Sequence, residues 1–268
     1  MVARPDIEGV LRPGLERWTT RHPLSRSRRW RMVRTVKVCR IQLAPKKKTR
    51  VLVHLEDTDE PLEVALDVVE QSGIHVGDEL TTEILERLRE DDSKWLARQA
   101  ALHLLSYRPR AEHELRVRLR SKGFHENSVE SCLRLLEEQG FLDDHAFACA
   151  HVRSRIRLKV RGRARLAQEL RQKGVSAEVV DRAIDEVFDD EETSEEELAR
   201  DAARQWVTRQ NPSFVTALVG TDPGPDREKV RRRLHGFLSR RGFRSDAVRA
   251  GIAEAEVLVR DSVDGPAG

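Results

Sequence analysis

The sequence predicts a mainly α-helical protein, with a small β-containing N-terminal domain followed by three tandem three-helix repeats in an elongated array. Three observations carry that expectation. Apolar residues make up 38% of the 268-residue chain and charged residues 35%, a balance that suits amphipathic helices and excludes a disordered or collagen-like chain. Strand-like alternation is confined to the region before residue 92. Beyond it, leucines spaced by four recur three times, each time stopped by glycine.

The elements follow in chain order. Residues 1–30 show neither helical nor strand period, and Arg17, Arg21, Arg26, Arg28, Arg29 and Arg31 mark a basic arm expected to be disordered. A small domain is expected over 31–90. Met32 to Leu43 reads as a strand with imperfect alternation around Cys39, ended by Pro45 and the lysines at 46–48. Val51, Val53 and Leu55 alternate with polar residues, Asp57 to Pro61 supplies a turn, and Leu62, Val64 and Leu66 alternate again, which predicts a hairpin. Val76-Gly77-Asp78 reads as a turn, and Thr81 or Thr82 can cap a short helix from Glu83 to Arg89.

The repeat superimposes on one glycine. Leu115-x3-Leu119-x3-Gly123-Phe124 matches Leu166-x3-Leu170-x3-Gly174-Val175 and Leu234-x3-Leu238-x3-Gly242-Phe243. Leucines four apart share a helix face, and glycine ends the helix in the left-handed conformation. Lys122, Lys173 and Arg241 precede the glycines, where a cation complements the negative helix end. A further amphipathic helix follows each glycine, and one precedes each copy: Trp95 to Ser106, Asp144 to Lys159 and Glu195 to Gln210. The units are expected at 92–140, 141–188 and 189–260, with a flexible linker at 208–226 and a disordered tail at 261–268.

Charge is segregated beneath a formal net of +3: residues 1–50 carry +12, 51–94 carry −11, 95–174 carry +8, 175–197 carry −10 and the remainder +4. Such blocks create local fields that an anionic partner, above all nucleic acid, can meet directly. No apolar run is long enough for a membrane span or a secretory signal, so a cytoplasmic protein is expected. Cys39, Cys132 and Cys149 form no CxxC pair and are read as reduced structural thiols, with no metal and no cofactor. There is no phosphate-cradling GxxxxGK[ST] loop, and His113-Glu114 lacks the second histidine of a zinc protease, because Val117 stands there. Asp143 and Asp144 suit a helix start, and Thr193 or Ser194 can cap the helix after the acidic run 189–197. His103, His151 and His235 read as core or boundary histidines.

Across roughly 95–258 the chain resembles the RecX regulatory proteins of bacteria. Three stretches carry the resemblance. The first is Arg108-x-Arg110-x-Glu112-x-Glu114-Leu115-x3-Leu119-x2-Lys122-Gly123-Phe124. The most diagnostic is Leu136-x3-Gly140-Phe141-Leu142-Asp143-Asp144-x2-Phe147-Ala148. The third is Gly162-x2-Arg165-Leu166-x2-Glu169-Leu170-x2-Lys173-Gly174-Val175. Ala111 departs from the Ser or Thr usual in that family, and the Arg-rich start is longer than a typical member's. The resemblance implies a non-enzymatic, monomeric modulator of the RecA recombinase that binds in the groove of the RecA–DNA filament and restrains its growth, ATPase, strand exchange and coprotease activities.

Candidate contacts with RecA or DNA are Arg108, Arg110, Arg116, Arg120 and Lys122 in the first unit, and Arg153, Arg157, Lys159, Arg161, Arg163, Arg165 and Lys173 in the second, with Gly162 letting the chain turn. Arginine pairs bidentately with phosphate or carboxylate, so the polymer it meets is left open. Few aromatics are available for base stacking, so single- or double-stranded DNA would be met without sequence specificity. The alternatives are a stand-alone DNA-binding protein using three-helix units, and a metal-dependent nuclease built on Asp143 and Asp144.

Overall fold

The computed structural model describes residues 35–45, 47–219 and 224–264. The arginine arm expected at 1–30 lies outside the described residues, as do residues 265–268 of the expected tail.

The N-terminal sheet is antiparallel with the order β3-β2-β1-β4, built from β1 Thr35–Ala44, β2 Lys47–Leu55, β3 Leu62–Ala65 and β4 Glu79–Thr81. The lysine run does not simply end β1. Lys47 pairs with Ala44 and opens β2. The irregular alternation at Cys39 has a physical cause, a register shift between Val38 and Arg40 that turns Cys39 out to solvent. Val38, Val51, Val53 and Val64 fill the buried face.

Two expectations are corrected here. Leu66 opens helix α1, Leu66–Ser72, rather than extending a strand, and Gly73 ends that helix at φ +65°. The two helices expected before and after residue 92 are one continuous helix α2, Thr82–Tyr107. The polar stretch that reads as a break is held by tertiary partners instead. Asp92, 8% exposed, takes both Arg50 terminal nitrogens at 2.9 and 3.0 Å and the Ala65 amide at 2.7 Å. Ser93 hydrogen-bonds Ser128 at 2.9 Å, and the Trp95 indole donates to Asp67 at 3.0 Å.

The helices that follow are α3 Glu112–Ser121, α4 Glu126–Glu138, α5 Asp144–Leu158, α6 Arg163–Gln172, α7 Ala177–Asp190, α8 Glu195–Val207, α9 Pro212–Val215, α10 Pro225–Arg240 and α11 Ser245–Asp264. One compact unit takes in the chain to His103 together with 118–132, and the other takes in 104–117 and the chain from Leu133. Of the segment expected as a flexible linker at 208–226, residues 220–223 lie outside the described residues, and the part before them carries α9 and a 3-10 turn, Thr216–Leu218, whose Val215 and Leu218 are buried beside α10 residues. The cause is an Asn211 cap followed by Pro212 at the first helical position. The tail expected from 261 is helical through Asp264, at the end of α11.

The glycine stops are built alike. Gly123, Gly174 and Gly242 have φ of +89°, +86° and +82°, and the residue after each donates back five residues, Phe124 to Leu119, Val175 to Leu170 and Phe243 to Leu238. That is the Schellman bond. Gly140, at φ +72°, ends α4 the same way, with Phe141 donating to Leu136. All six repeat leucines are fully buried.

A second regularity joins one copy to the next. The Asp144 carboxylate, opening α5, accepts from the Glu112 amide at 2.8 Å. Fifty-one residues on in both partners, Glu195 accepts from the Arg163 amide at 3.1 Å and also from the Arg244 amide at 3.2 Å. An acid at a first-helix start thus caps the second helix of the preceding copy, supplying the acceptor that the Ala111 side chain lacks. Glycines bring the backbones close at the same seams. A Cβ on Gly174 would lie 2.3 Å from His113 Cβ, and one on Gly242 would lie 2.3 Å from the Arg165 amide. Gly162 donates to the Arg241 carbonyl at 2.9 Å, and its own Cβ would strike the Gly242 carbonyl.

Candidate nucleic-acid and partner interface

The arginines singled out in the sequence are mostly engaged with carboxylates. In the first copy Arg108 and Arg110 both pair with Glu114, Arg116 with Glu112 at 2.6 Å and Arg120 with Glu126. Lys122 is exposed, with no ion pair among the described residues. In the second copy Arg153 reaches Asp190 at 2.6 Å, Arg157 reaches Glu191 at 2.7 Å and Arg163 pairs with Asp185 over the Phe188 ring. The acidic end of α7 therefore neutralises this flank. Lys159 is exposed, and Lys173 lies over the Phe147 ring.

Glu169 organises the opposite flank. Its carboxylate takes Arg155 at 2.8 Å, His151 at 3.2 Å, Arg165 at 3.3 Å and Arg161 at 3.8 Å. Burial works against its ionisation, but the Arg155 and His151 hydrogen bonds outweigh that and hold the carboxyl below its usual range. Burial likewise holds the His151 imidazole below its usual value despite Glu169. Three guanidinium groups share this one carboxylate, so the cluster keeps a positive excess. Arg161 Nε is buried without a hydrogen bond.

That excess continues into residues that sequence reasoning missed. Burial and the neighbouring Arg161 and Arg209 depress the Arg241 guanidinium, which donates to the Val160 carbonyl at 3.0 Å and stacks over Phe237 at 4.3 Å. Beside it a cleft of about 410 Å³ is lined by Trp206, Gln210, Arg232, Arg233, Phe237 and Arg240. Among the described residues no carboxylate lies within ion-pair distance of Arg209, Arg232, Arg233 or Arg240, and all four are exposed. Trp206 is 7% exposed and the Phe237 ring carries Arg241, so the cleft presents guanidinium groups rather than an open stacking face, which suits the phosphates of an anionic polymer. The Arg231-Arg232-Arg233 run and its spacing to Phe237 were the available sequence signal.

Asp143 and Asp144 hold helix starts: Asp143 accepts from the Ala146 amide at 2.8 Å, and Asp144 reaches across to Glu112. Ser194 caps α8 in a reciprocal capping box with Glu197. His103 and His151 are half-buried, whereas His235 is exposed. Phe141 stands 55% exposed. Among the described residues no helix is long and apolar enough to cross a membrane.

Comparison with known proteins matches the first two of the three-helix copies described above. The model of the first three-helix domain of RecX matches residues 97–137, and that of the second matches 143–184. A regulatory protein RecX of Halorhodospira halophila is 38% identical over 171 residues, covering 64% of this chain and 93% of that protein. One from Streptomyces coelicolor is 38% identical over 147 residues, covering 55% and 70%. A crystal structure of regulatory protein RecX superimposes with a TM-score of 0.62 at 27% identity, covering 81% of this chain and 98% of that one. The chain therefore belongs to the RecX family of regulatory proteins.

Proposed function

We propose that this regulatory protein acts by binding the RecA–DNA nucleoprotein filament along its groove, restraining filament growth, ATP turnover, strand exchange and coprotease activity, and so tuning homologous recombination and the SOS response. The observation that carries the reading is the group of exposed arginines without ion-pair partners among the described residues, Arg209, Arg232, Arg240 and Arg233, the last over the Phe214 ring, beside Trp206 and Phe237. It continues the positive excess around Glu169, and together these surfaces fit a polymeric anion better than an enclosed substrate. The three copies, expected at 92–140, 141–188 and 189–260, repeat one kind of seam, as a partner that itself repeats would require. No catalytic residue, metal or cofactor enters this role, and the protein works as a cytoplasmic monomer. By preferring one filament state it opposes the others.

In this reading Arg157, Lys159 and Lys122 are exposed contacts, while Arg153 and Arg163 chiefly brace α5 and α6 against α7. The test is the single-strand-dependent ATPase of RecA with this protein added. Wild type slows turnover, a variant carrying R209A, R232A, R233A and R240A slows it much less, and one carrying R153A and R163A slows it nearly as well as wild type. Equal inhibition by wild type and the fourfold variant overturns the assignment of the surface.

A further inference from the structure

We propose that His145, Cys149 and Glu186 form a binding site for a zinc-class divalent cation, linking α5 to α7. His145 and Cys149 lie four residues apart and so share one face of α5, while Glu186 approaches from α7. The imidazole Nε2 and the Cys149 sulfur are 3.8 Å apart, the sulfur is 3.6 Å from Glu186 Oε1, and Nε2 is 3.2 Å from Glu186 Oε2. A tetrahedral zinc with sulfur at about 2.3 Å, nitrogen at about 2.1 Å and oxygen at about 2.1 Å spaces these atoms by about 3.6, 3.6 and 3.4 Å. The three donors already stand near the corners of such a face, and a small rotation of the carboxylate presents one oxygen to both neighbours.

The donor chemistry selects the ion. A thiolate with an imidazole favours a borderline-soft metal over calcium or magnesium, which prefer all-oxygen shells. Binding sends the Cys149 thiol proton to solvent. The thiolate and the Glu186 carboxylate then balance a doubly charged cation, so the loaded site is neutral at a half-buried position. The Cys149 side is buried, whereas the Glu186 side chain is 44% exposed and the His145 side chain 26%. The fourth position therefore opens to water. Spacing in the sequence hides the site, because its third member comes 37 residues after Cys149.

The experiment is titration of the full chain with Co2+ after chelator treatment. The expected result is one equivalent giving the visible bands of tetrahedral cobalt with a thiolate-to-cobalt charge-transfer band, both displaced by Zn2+. C149S abolishes the charge-transfer band. H145Q and E186Q, the second at a side chain 44% exposed, each weaken binding by about tenfold or more. Far-ultraviolet circular dichroism checks that each variant is folded. Octahedral cobalt only, or a thiolate band that survives C149S, overturns the proposal, as does an E186Q affinity equal to wild type.

Discussion

The repeat glycines do different work, and substituting alanine for each separates two energies. At Gly123 nothing lies within 4 Å of an added Cβ, so Gly123→Ala meets only the strain of φ +89°, about 1–2 kcal/mol for a left-handed L-residue. Gly242→Ala meets that same strain and a collision, since its Cβ would lie 2.3 Å from the Arg165 amide and 2.5 Å from Arg165 Cβ. Relief requires the α6 start to retreat, which breaks the Gly162 to Arg241 and Ala164 to Gly242 hydrogen bonds. Overpacking adds about 1–3 kcal/mol, and each broken backbone bond roughly 0.5–1.5 kcal/mol. The expected cost is thus about 3–8 kcal/mol at Gly242, with similar overpacking at Gly174, which faces His113 Cβ at 2.3 Å. Thermal unfolding followed by circular dichroism should show a drop of roughly 2–6 °C for G123A and more than about 8 °C for G242A. Equal drops for the two would refute the claim that Gly242 sits in a close seam while Gly123 only ends a helix.

Other outcomes follow from the same network of hydrogen bonds and ion pairs. Glu195→Ala leaves the Arg163 and Arg244 amides without their acceptor and should cost about 3 kcal/mol in a denaturant melt, against less than about 0.5 kcal/mol for the neighbouring Glu196→Ala. Asp92→Ala leaves the Ala65 amide without its acceptor and Arg50 with Glu63 as its remaining carboxylate, and should destabilise the N-terminal domain by roughly 1.5–3 kcal/mol. Acid should weaken the Glu169 cluster in two stages. His151 is held below its ordinary 6.5, so the unfolded chain takes up its proton first and stability falls as pH drops below 6.5. Glu169 is held below 4.5, so its contribution is complete above that value and is lost as pH falls through the lower folded pKa. His151→Gln should flatten the first stage in melting temperatures taken from pH 8 to pH 5. Removing Arg232, Arg233 and Arg240 together should reduce the salt slope of single-strand DNA affinity by about 2, at roughly 0.7 for each phosphate left without its arginine. An unchanged slope would place those arginines off the DNA.

The helical half of the fold was legible because its signals are local. Leu166, Leu170 and Gly174 declare a helix face and its stop within nine residues, and the same pattern recurs around Gly123 and Gly242. The continuity of α2 was hidden because Asp92 and Ser93 read as a polar break until Arg50, Ala65 and Ser128 are brought to them. β4 is only three residues long and gains its identity from pairing with Thr35, Val36 and Lys37. The basic residues were legible as a class but not as a surface. Arg153 and Arg163 look as available in sequence as Arg232 and Arg233, yet Asp190 and Asp185 come from α7 to meet the first pair. Pairing of that kind depends on helix packing, which the spacing of charges along a chain does not encode.

The most direct measurement is equilibrium binding of the labelled full chain, by fluorescence anisotropy, to three titrants at one salt concentration: RecA filaments locked on single-stranded DNA with a non-hydrolysable nucleotide, bare DNA of the same length, and RecA without DNA. Filament affinity exceeding both of the others by about tenfold or more, some 1.4 kcal/mol, is the outcome expected of a filament regulator. Bare DNA bound as tightly as the filament would contradict it and leave a stand-alone DNA-binding protein.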